Sequence, residues 1–374
     1  MADSTLRILQ IGAGSMGTRR LRDLSRRQDV ALAVFDVRTD RRNDAGAMFR
    51  IPAFGTLEEA LAWEPQALSI STPPDAHASY VRLALDRQLH HFCEANIWTP
   101  RLWLLPEIGE VISAPSCTFY FHPLVTTLKQ LVRESLGKLH TWQFCLSTYM
   151  PNWHPEEGDE FYARRRSTAA AREMVPFELL WLNEVFGDAT KLSGMVRQLA
   201  TLGEELEDTW CLQIELSNGA IGQLSVLMGC PTSCRRGWCL GENGIFDFDL
   251  WHGVLNCHLN GAEDFSRRFG PQNELIEHMY EREINTFVDS IRGKERWPLS
   301  YYDASLATSM LAATELSSLL TTQVKVDVDR QPAALPNGYL SHDLDLDQGS
   351  RLETGQAFVA ADLGSLEATN GKLK

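Results

Sequence analysis

The chain has 374 residues, 44% apolar and 22% charged, the composition of a folded protein with room for two domains. A formal net charge of −14 repels a phosphate backbone, and no basic stripe interleaved with aromatics offsets it, so nucleic-acid binding is excluded. No apolar run reaches the roughly 20 residues needed to span a bilayer. The stretch from Met1 to Leu9 lacks the basic-then-apolar pattern of a secretory signal, so a cytoplasmic protein without a membrane partner is expected.

From Leu6 onward, apolar runs alternate with amphipathic stretches, which predicts βαβ units and a parallel sheet. Strands are expected at Leu6–Ile11, Val30–Phe35, 67–71, 91–94 and 117–121. Helices are expected over 16–27, 57–62 and 76–87, the last capped by Asp75 after Pro73-Pro74. Beyond Pro123 the pattern changes. A helix over 124–136 ends at Gly137, and longer alternating strands at 209–216 and 220–228 flank the turn Ser217-Asn218-Gly219. Two late helices are expected over 274–292 and 304–320. The fold class is therefore an α/β Rossmann domain, a doubly wound parallel sheet, over 1–123. An α+β domain with a large, mainly antiparallel open sheet follows over 124–330, and an extension of low order over 331–374.

Eight cysteines are too dilute for a disulfide framework. Cys230, Cys234 and Cys239 lack the close paired spacing of a structural zinc site, so no metal is expected.

Gly12-Ala13-Gly14-Ser15-Met16-Gly17 follows the first strand directly and opens a helix, the context that gives a G-x-G-x-x-G motif meaning. Gly12 allows the tight turn, Gly14 lets backbone approach a pyrophosphate, and Gly17 lets the helix pack on the strand. The helix N-terminus offers free N–H groups to the anion. About 20 residues on, Asp36 ends the second strand, where a carboxylate accepts from adenosine ribose hydroxyls and disfavours a 2′-phosphate. NAD is therefore the expected cofactor. Arg38, Arg41 and Arg42 keep NADP open.

With these motifs the sequence resembles the Gfo/Idh/MocA oxidoreductases over roughly residues 6 to 325. Further points of resemblance are Ser71-Thr72-Pro73-Pro74-Asp75-Ala76-His77, Phe92-Cys93-Glu94, Phe121-His122-Pro123, Glu207-Asp208-Thr209-Trp210 and the helix around 283–291. The resemblance implies that Ser71, Thr72, Pro73 and Pro74 lie against the dinucleotide with His77 nearby. It also implies that the sheet domain covers the nicotinamide and forms homo-oligomer contacts. Two departures matter. The family's Glu-Lys-Pro reads Glu94-Ala95-Asn96 here, and its acid-then-histidine pair, four residues apart, reads Glu173 and Phe177. Oxidising an alcohol needs a base or electropositive group for the hydroxyl proton, and neither Ala95 nor Phe177 supplies one.

Replacements are sought in Trp153-His154-Pro155-Glu156-Glu157 and in Phe161-Tyr162-Ala163-Arg164-Arg165-Arg166, which resemble a substrate-facing loop of family members linked to surface-sugar biosynthesis. Tyr162, with its pKa lowered by an arginine, and His154 are candidate acid–base groups, as are Glu173 and Glu178. Glu178 either faces a cavity or pairs with an arginine such as Arg172. Trp153, Arg164, Arg165, Arg166 and Phe177 are candidate substrate contacts, the arginines suiting a phosphate or carboxylate. A solvated loop is the plain alternative.

His90 and His91 are expected to be structural, and Trp238, Phe246, Phe248 and Trp251 core or oligomer interface. The expected function is an NAD(P)-dependent oxidoreductase acting on a sugar, cyclitol or sugar nucleotide through a non-standard proton relay. The alternatives are an enzyme that oxidises transiently with bound NAD to drive epimerisation or elimination, and a redox-silent dinucleotide-binding scaffold.

Overall fold

The computed structural model describes residues 5–96, 111–155, 157–158, 161–200, 202 and 206–328. The extension expected over 331–374 lies outside the described residues.

The first half alternates β1 (Leu6–Ile11), α1 (Ser15–Leu24), β2 (Val30–Phe35), α2 (Thr39–Phe49), β3 (Ala53–Phe54), α3 (Leu57–Ala62), β4 (Ala67–Ile70), α4 (Pro74–Asp86), β5 (His90–Cys93) and β6 (Ser113–Pro115). The six strands are parallel in the order β3-β2-β1-β4-β5-β6, the doubly wound Rossmann arrangement. Successive side chains of β1 point to opposite faces, and both faces are covered. Ile8 packs with Leu21 and Leu24 of α1, while Leu9 and Ile11 pack with Val81 and Ala84 of α4. That is why β1 reads as a continuous apolar run.

Three expectations need correction. Helix α2 is missing from the sequence-based list because its single buried residue, Ala45, leaves no apolar periodicity to detect. Asp75 is not a cap, since α4 begins at Pro74 and Asp75 lies in its first turn. Residues 117–121 do not form a strand; Thr118–Phe121 is a 3-10 turn and the sixth strand lies earlier, at β6. The reason is Glu283, whose carboxylate accepts from the Cys117 N–H at 2.7 Å and from the Ser116 and Thr118 hydroxyls at 2.8 and 2.9 Å. A ladder would need the backbone group that this carboxylate occupies.

The second half runs through α5 (Pro123–Glu134), β7 (Leu139–Tyr149), α6 (Ala170–Phe186), β8 (Ala189–Arg197), β9 (Thr209–Leu216), β10 (Ile221–Leu227), β11 (Gly229–Gly241), β12 (Gly244–Asp249), β13 (Val254–Leu259), β14 (Phe265–Arg268), α7 (Gln272–Ile291), α8 (Tyr301–Leu320) and β15 (Val324–Lys325). Its nine-stranded sheet has the order β14-β13-β12-β11-β7-β10-β9-β8-β15, antiparallel except for the β7–β10 pair. Phe246 and Phe248 lie in the core under α6, with Phe248 against Trp181 and Phe186. Trp238 is half-buried and donates to Gln143. His90 and His91 are structural: His90 Nδ1 accepts from Ile112 N–H, and His91 bonds the Tyr301 hydroxyl.

Helix α7 returns to lie on α1. Arg26 pairs with Glu281 at an exposed edge, a contact of small net worth, and Arg27 with Asp289 in a part-buried position. Arg20 differs, because it has no exposure. Its guanidinium meets Glu283 at 2.6 Å and Glu94 at 2.8 and 3.1 Å, and also donates to the Tyr280 carbonyl. Burial works against the cation, but the two carboxylates outweigh it and its pKa rises. Arg20→Ala, which leaves both carboxylates without their cation, is expected to lower the unfolding free energy by about 3–5 kcal/mol. Denaturant melts check this, and a loss below about 1 kcal/mol, the worth of an exposed pair, would contradict it.

Candidate active site

The glycine loop has the geometry its sequence implies. Gly12 has φ +86°, and a Cβ there would lie 2.5 Å from the Ser71 carbonyl oxygen. At Gly17 a Cβ would lie 1.9 Å from the Gly12 oxygen, so α1 sits directly on the strand turn. Gly14 is different, since a Cβ there would meet only the Arg41 guanidinium, at 3.3 Å. Gly14 is also the N-cap of α1, with no side-chain cap and no acid in the first turn. The N–H groups that follow at Ser15 and Met16 are therefore left for an anion.

Asp36, 7% exposed, accepts from Ala13 N–H at 2.7 Å and Arg38 N–H at 2.8 Å. Each carboxylate oxygen keeps further acceptor capacity, which suits ribose hydroxyls. The Arg38 side chain is tied to Asp40, and Arg42 donates to the Asp36 carbonyl. Of the three arginines, Arg41 is the one set against the loop.

At the end of β4, the Thr72 hydroxyl is buried without a partner. Pro73 caps α4 and Pro74 opens it. His77, 1% exposed, bonds the Thr72 carbonyl through Nε2 at 2.8 Å, and its Nδ1 lies 3.2 Å from the Asn96 carbonyl. Burial pushes its pKa down while the two carbonyls work the other way, and the ring braces the loop between them. Glu94 is committed to Arg20 and accepts from Ser71 at 3.3 Å. The bare face at Gly14, the uncapped N–H groups of α1, Asp36 and the spare Thr72 hydroxyl together fit a nicotinamide dinucleotide.

Ala95 borders a small cavity with Asn96, Ser116, Pro176 and Thr308. Asn96 has φ +71°, a left-handed turn that a proline, fixed near −65°, could not make. Its Nδ2 donates to the Glu173 carbonyl at 3.0 Å, tying the end of β5 to α6. The Glu-Lys-Pro of the resemblance could not adopt this backbone at its third position.

Glu173 and Tyr162 come together, the phenol donating to Glu173 Oε2 at 3.0 Å. Burial pushes the Glu173 carboxyl up to about 7; the Tyr162 bond pulls it down and the Glu94 charge adds to the rise. Tyr162 corrects the sequence-based expectation: burial first, then Glu173, raise its pKa well above 10, so it is a proton donor to Glu173 and not a base.

His154 packs at a tilt against Phe161 with centroids 4.7 Å apart, and its Nδ1 lies 3.9 Å from Glu157. Trp153 donates to Thr148 at 3.1 Å.

The arginines disperse. Arg164 donates to the Leu202 carbonyl, Arg166 grips Glu207 at 2.6 Å, and Arg165 is exposed. Phe177 packs edge-on against Phe119.

Glu178 is fully buried, accepts from Trp181 Nε1 at 2.7 Å, and pairs with Arg235 at 2.8 Å. Arg172, the partner expected for it, pairs instead with Glu315. Burial raises the Glu178 pKa while Arg235 holds it back. Arg235 also lies over the Phe119 ring, 4.8 Å from its centroid, which puts a guanidinium on the aromatic that packs against Phe177. Asn96 and Arg235 were missed from sequence: an asparagine after a strand hints at a left-handed turn, whereas the Arg235-Arg236 pair does not reveal which one faces inward.

Two family models match the chain: the oxidoreductase family with an NAD-binding Rossmann fold over residues 6–99, and the Gfo/Idh/MocA C-terminal domain over residues 125–247. No curated protein matches it. Among solved structures, GenD2 from gentamicin A biosynthesis, in complex with NAD, is 22% identical with a TM-score of 0.74, covering 87% of this chain and 97% of its own. Levoglucosan dehydrogenase with NADH and levoglucosan is 14% identical with a TM-score of 0.75, covering 86% and 99%. A myo-inositol dehydrogenase from Corynebacterium glutamicum is 16% identical with a TM-score of 0.69, also covering 86% and 99%. The chain belongs to the Gfo/Idh/MocA family of oxidoreductases, and residues 6–99 carry that family's NAD-binding Rossmann fold.

Proposed function

We propose that the protein oxidises a secondary alcohol of a sugar or cyclitol with NAD, and that Glu173 handles the hydroxyl proton. The observation that carries this is the Glu173–Tyr162 pair, whose carboxyl titrates at about 7 close to the carboxylate that ends β5. When bound, NAD accepts the hydride from the substrate carbon. Glu173 takes the proton from the hydroxyl, and its pKa near the working pH suits transfer in either direction. Tyr162 holds the carboxylate in place, and Asn96 fixes the helix that carries it.

Glu178 and His154 are assigned other work, the first holding Arg235 and the second lining the loop. The dispersal of Arg164, Arg165 and Arg166 favours a neutral sugar or cyclitol over a sugar nucleotide, in line with the levoglucosan and myo-inositol dehydrogenases of similar fold. Asp36 supports NAD over NADP. The outer face of the nine-stranded sheet, where Cys145, Cys211, Cys234 and Trp238 are half-buried, is assigned to contact with a second copy.

Incubation with NAD and a panel of sugars and cyclitols, read as NADH absorbance, tests the activity. An inert protein that turns over a family substrate only after Ala95→Lys with Phe177→His would support the redox-silent reading instead. For the active enzyme, kcat/KM for oxidation should rise with pH through about 7 as Glu173 loses its proton, and the reverse reduction should fall over the same range. Glu173→Gln should cost about a hundredfold or more. Tyr162→Phe removes the bond that lowers the Glu173 pKa and should move both limbs to higher pH.

Folding carries the same signature. Because the folded pKa is raised from 4.5 to about 7, the stability Glu173 contributes is complete below 4.5 and is lost as pH rises through about 7. The melting temperature of Glu173→Gln should therefore gain on the parent as pH rises from 5 to 8, and parallel curves would contradict the raised pKa. Asp36→Ser should narrow the preference for NADH over NADPH about tenfold, read as the ratio of dissociation constants.

A further inference from the structure

Gly14 caps α1, whose N-terminus carries partial positive charge, and Arg41 places a full positive charge against the same glycine. Two like-signed features are thus held together with neither a capping side chain nor an acid in the first turn of α1. The carboxylate that meets Arg41 comes from the other half of the chain: Glu157 Oε1 lies 3.2 Å from the Arg41 guanidinium, with both side chains about 30% exposed (31% and 29%). Glu157 is held in a turn by its N–H to the His154 carbonyl at 3.1 Å, in the segment that leads to Tyr162. Its negative charge also adds to the rise in the Tyr162 pKa, so it lies within electrostatic reach of the acid–base pair.

In a Rossmann domain the second glycine is where backbone approaches the cofactor's pyrophosphate, and Arg41 can serve that pyrophosphate only once Glu157 releases it. We propose that Arg41 binds the pyrophosphate of the dinucleotide, that Glu157 occupies Arg41 in its absence, and that cofactor binding exchanges one partner for the other. The bridge between Arg41 and Glu157 is then a latch that the cofactor opens. It rests on the family's NAD(P) site and not on the role given to Glu173, and its test reads binding and not turnover.

Arg41 is distinguished from its neighbours by position. The Arg38 side chain is tied to Asp40 and Arg42 turns to the Asp36 carbonyl. A guanidinium aimed at a 2′-phosphate would serve NADPH alone, whereas one over Gly14 serves every dinucleotide that carries a pyrophosphate.

Dissociation constants for NADH, NADPH and ADP-ribose are measured by fluorescence and calorimetric titration on the full chain, with apo thermal melts confirming that each variant folds. Arg41→Gln is expected to weaken all three ligands about tenfold, the scale of one charge-assisted hydrogen bond. Glu157→Gln is expected to tighten all three about threefold. In the double variant, Glu157→Gln should add nothing, because its effect acts through Arg41. Weakening confined to NADPH would overturn the pyrophosphate assignment in favour of a 2′-phosphate contact. Glu157→Gln that weakens NADH, or constants unchanged in both single variants, would overturn the exchange.

Discussion

The Arg20 guanidinium, buried between Glu94 and Glu283, is the contact on which the remaining geometry hangs. It joins α1, which bears the glycine loop, to the end of β5, where the family's substrate lysine would follow, and to α7 from the second half of the chain. Glu283 in turn takes the Cys117 N–H and two hydroxyls, which sets the turn that leads into α5. Two carboxylates share the one guanidinium, so removing the cation leaves both without a counter-charge in a low dielectric. It therefore acts as a joint, and the cofactor loop and the end of β5, which Asn96 ties to Glu173 on α6, are registered to each other through it.

On that frame, the proposed function places the proton chemistry on a different group from the lysine and histidine of the family pattern, for which Ala95 and Phe177 stand in the resemblance. Asn96 replaces the proline of the pattern with a left-handed turn and reaches across to the Glu173 carbonyl, so the connection between the halves runs through a side-chain amide. Glu173 sits beside a phenol that burial keeps protonated, in a setting where its own carboxyl titrates near neutrality. The proposed function moves proton transfer from imidazole to carboxyl with little change in working pH, keeping hydride chemistry on the scaffold while exchanging its base.

Much of this was legible in the sequence. The glycine spacing, the acid after β2 and the alternation of runs define the Rossmann half, because each reports a local backbone requirement. The antiparallel sheet followed from period-two patterning and the Ser217-Asn218-Gly219 turn. Side-chain partnerships were not legible. That Glu283 would convert 117–121 from strand to turn and that Glu178 would choose Arg235 over Arg172 depend on residues far apart in the chain that only packing brings together, and the rise at Tyr162 depends first on its burial and then on Glu173. Helix α2, polar along most of its length, was silent for a different reason, since it buries almost nothing.

The most direct test is a crystal structure of the protein with NADH and a bound polyol. The account predicts the reacting hydroxyl within hydrogen-bond reach of the Glu173 carboxyl, at about 3 Å, with its carbon facing the nicotinamide. A polyol bound with that hydroxyl on Arg235, His154 or solvent, and Glu173 turned from it, would contradict the account.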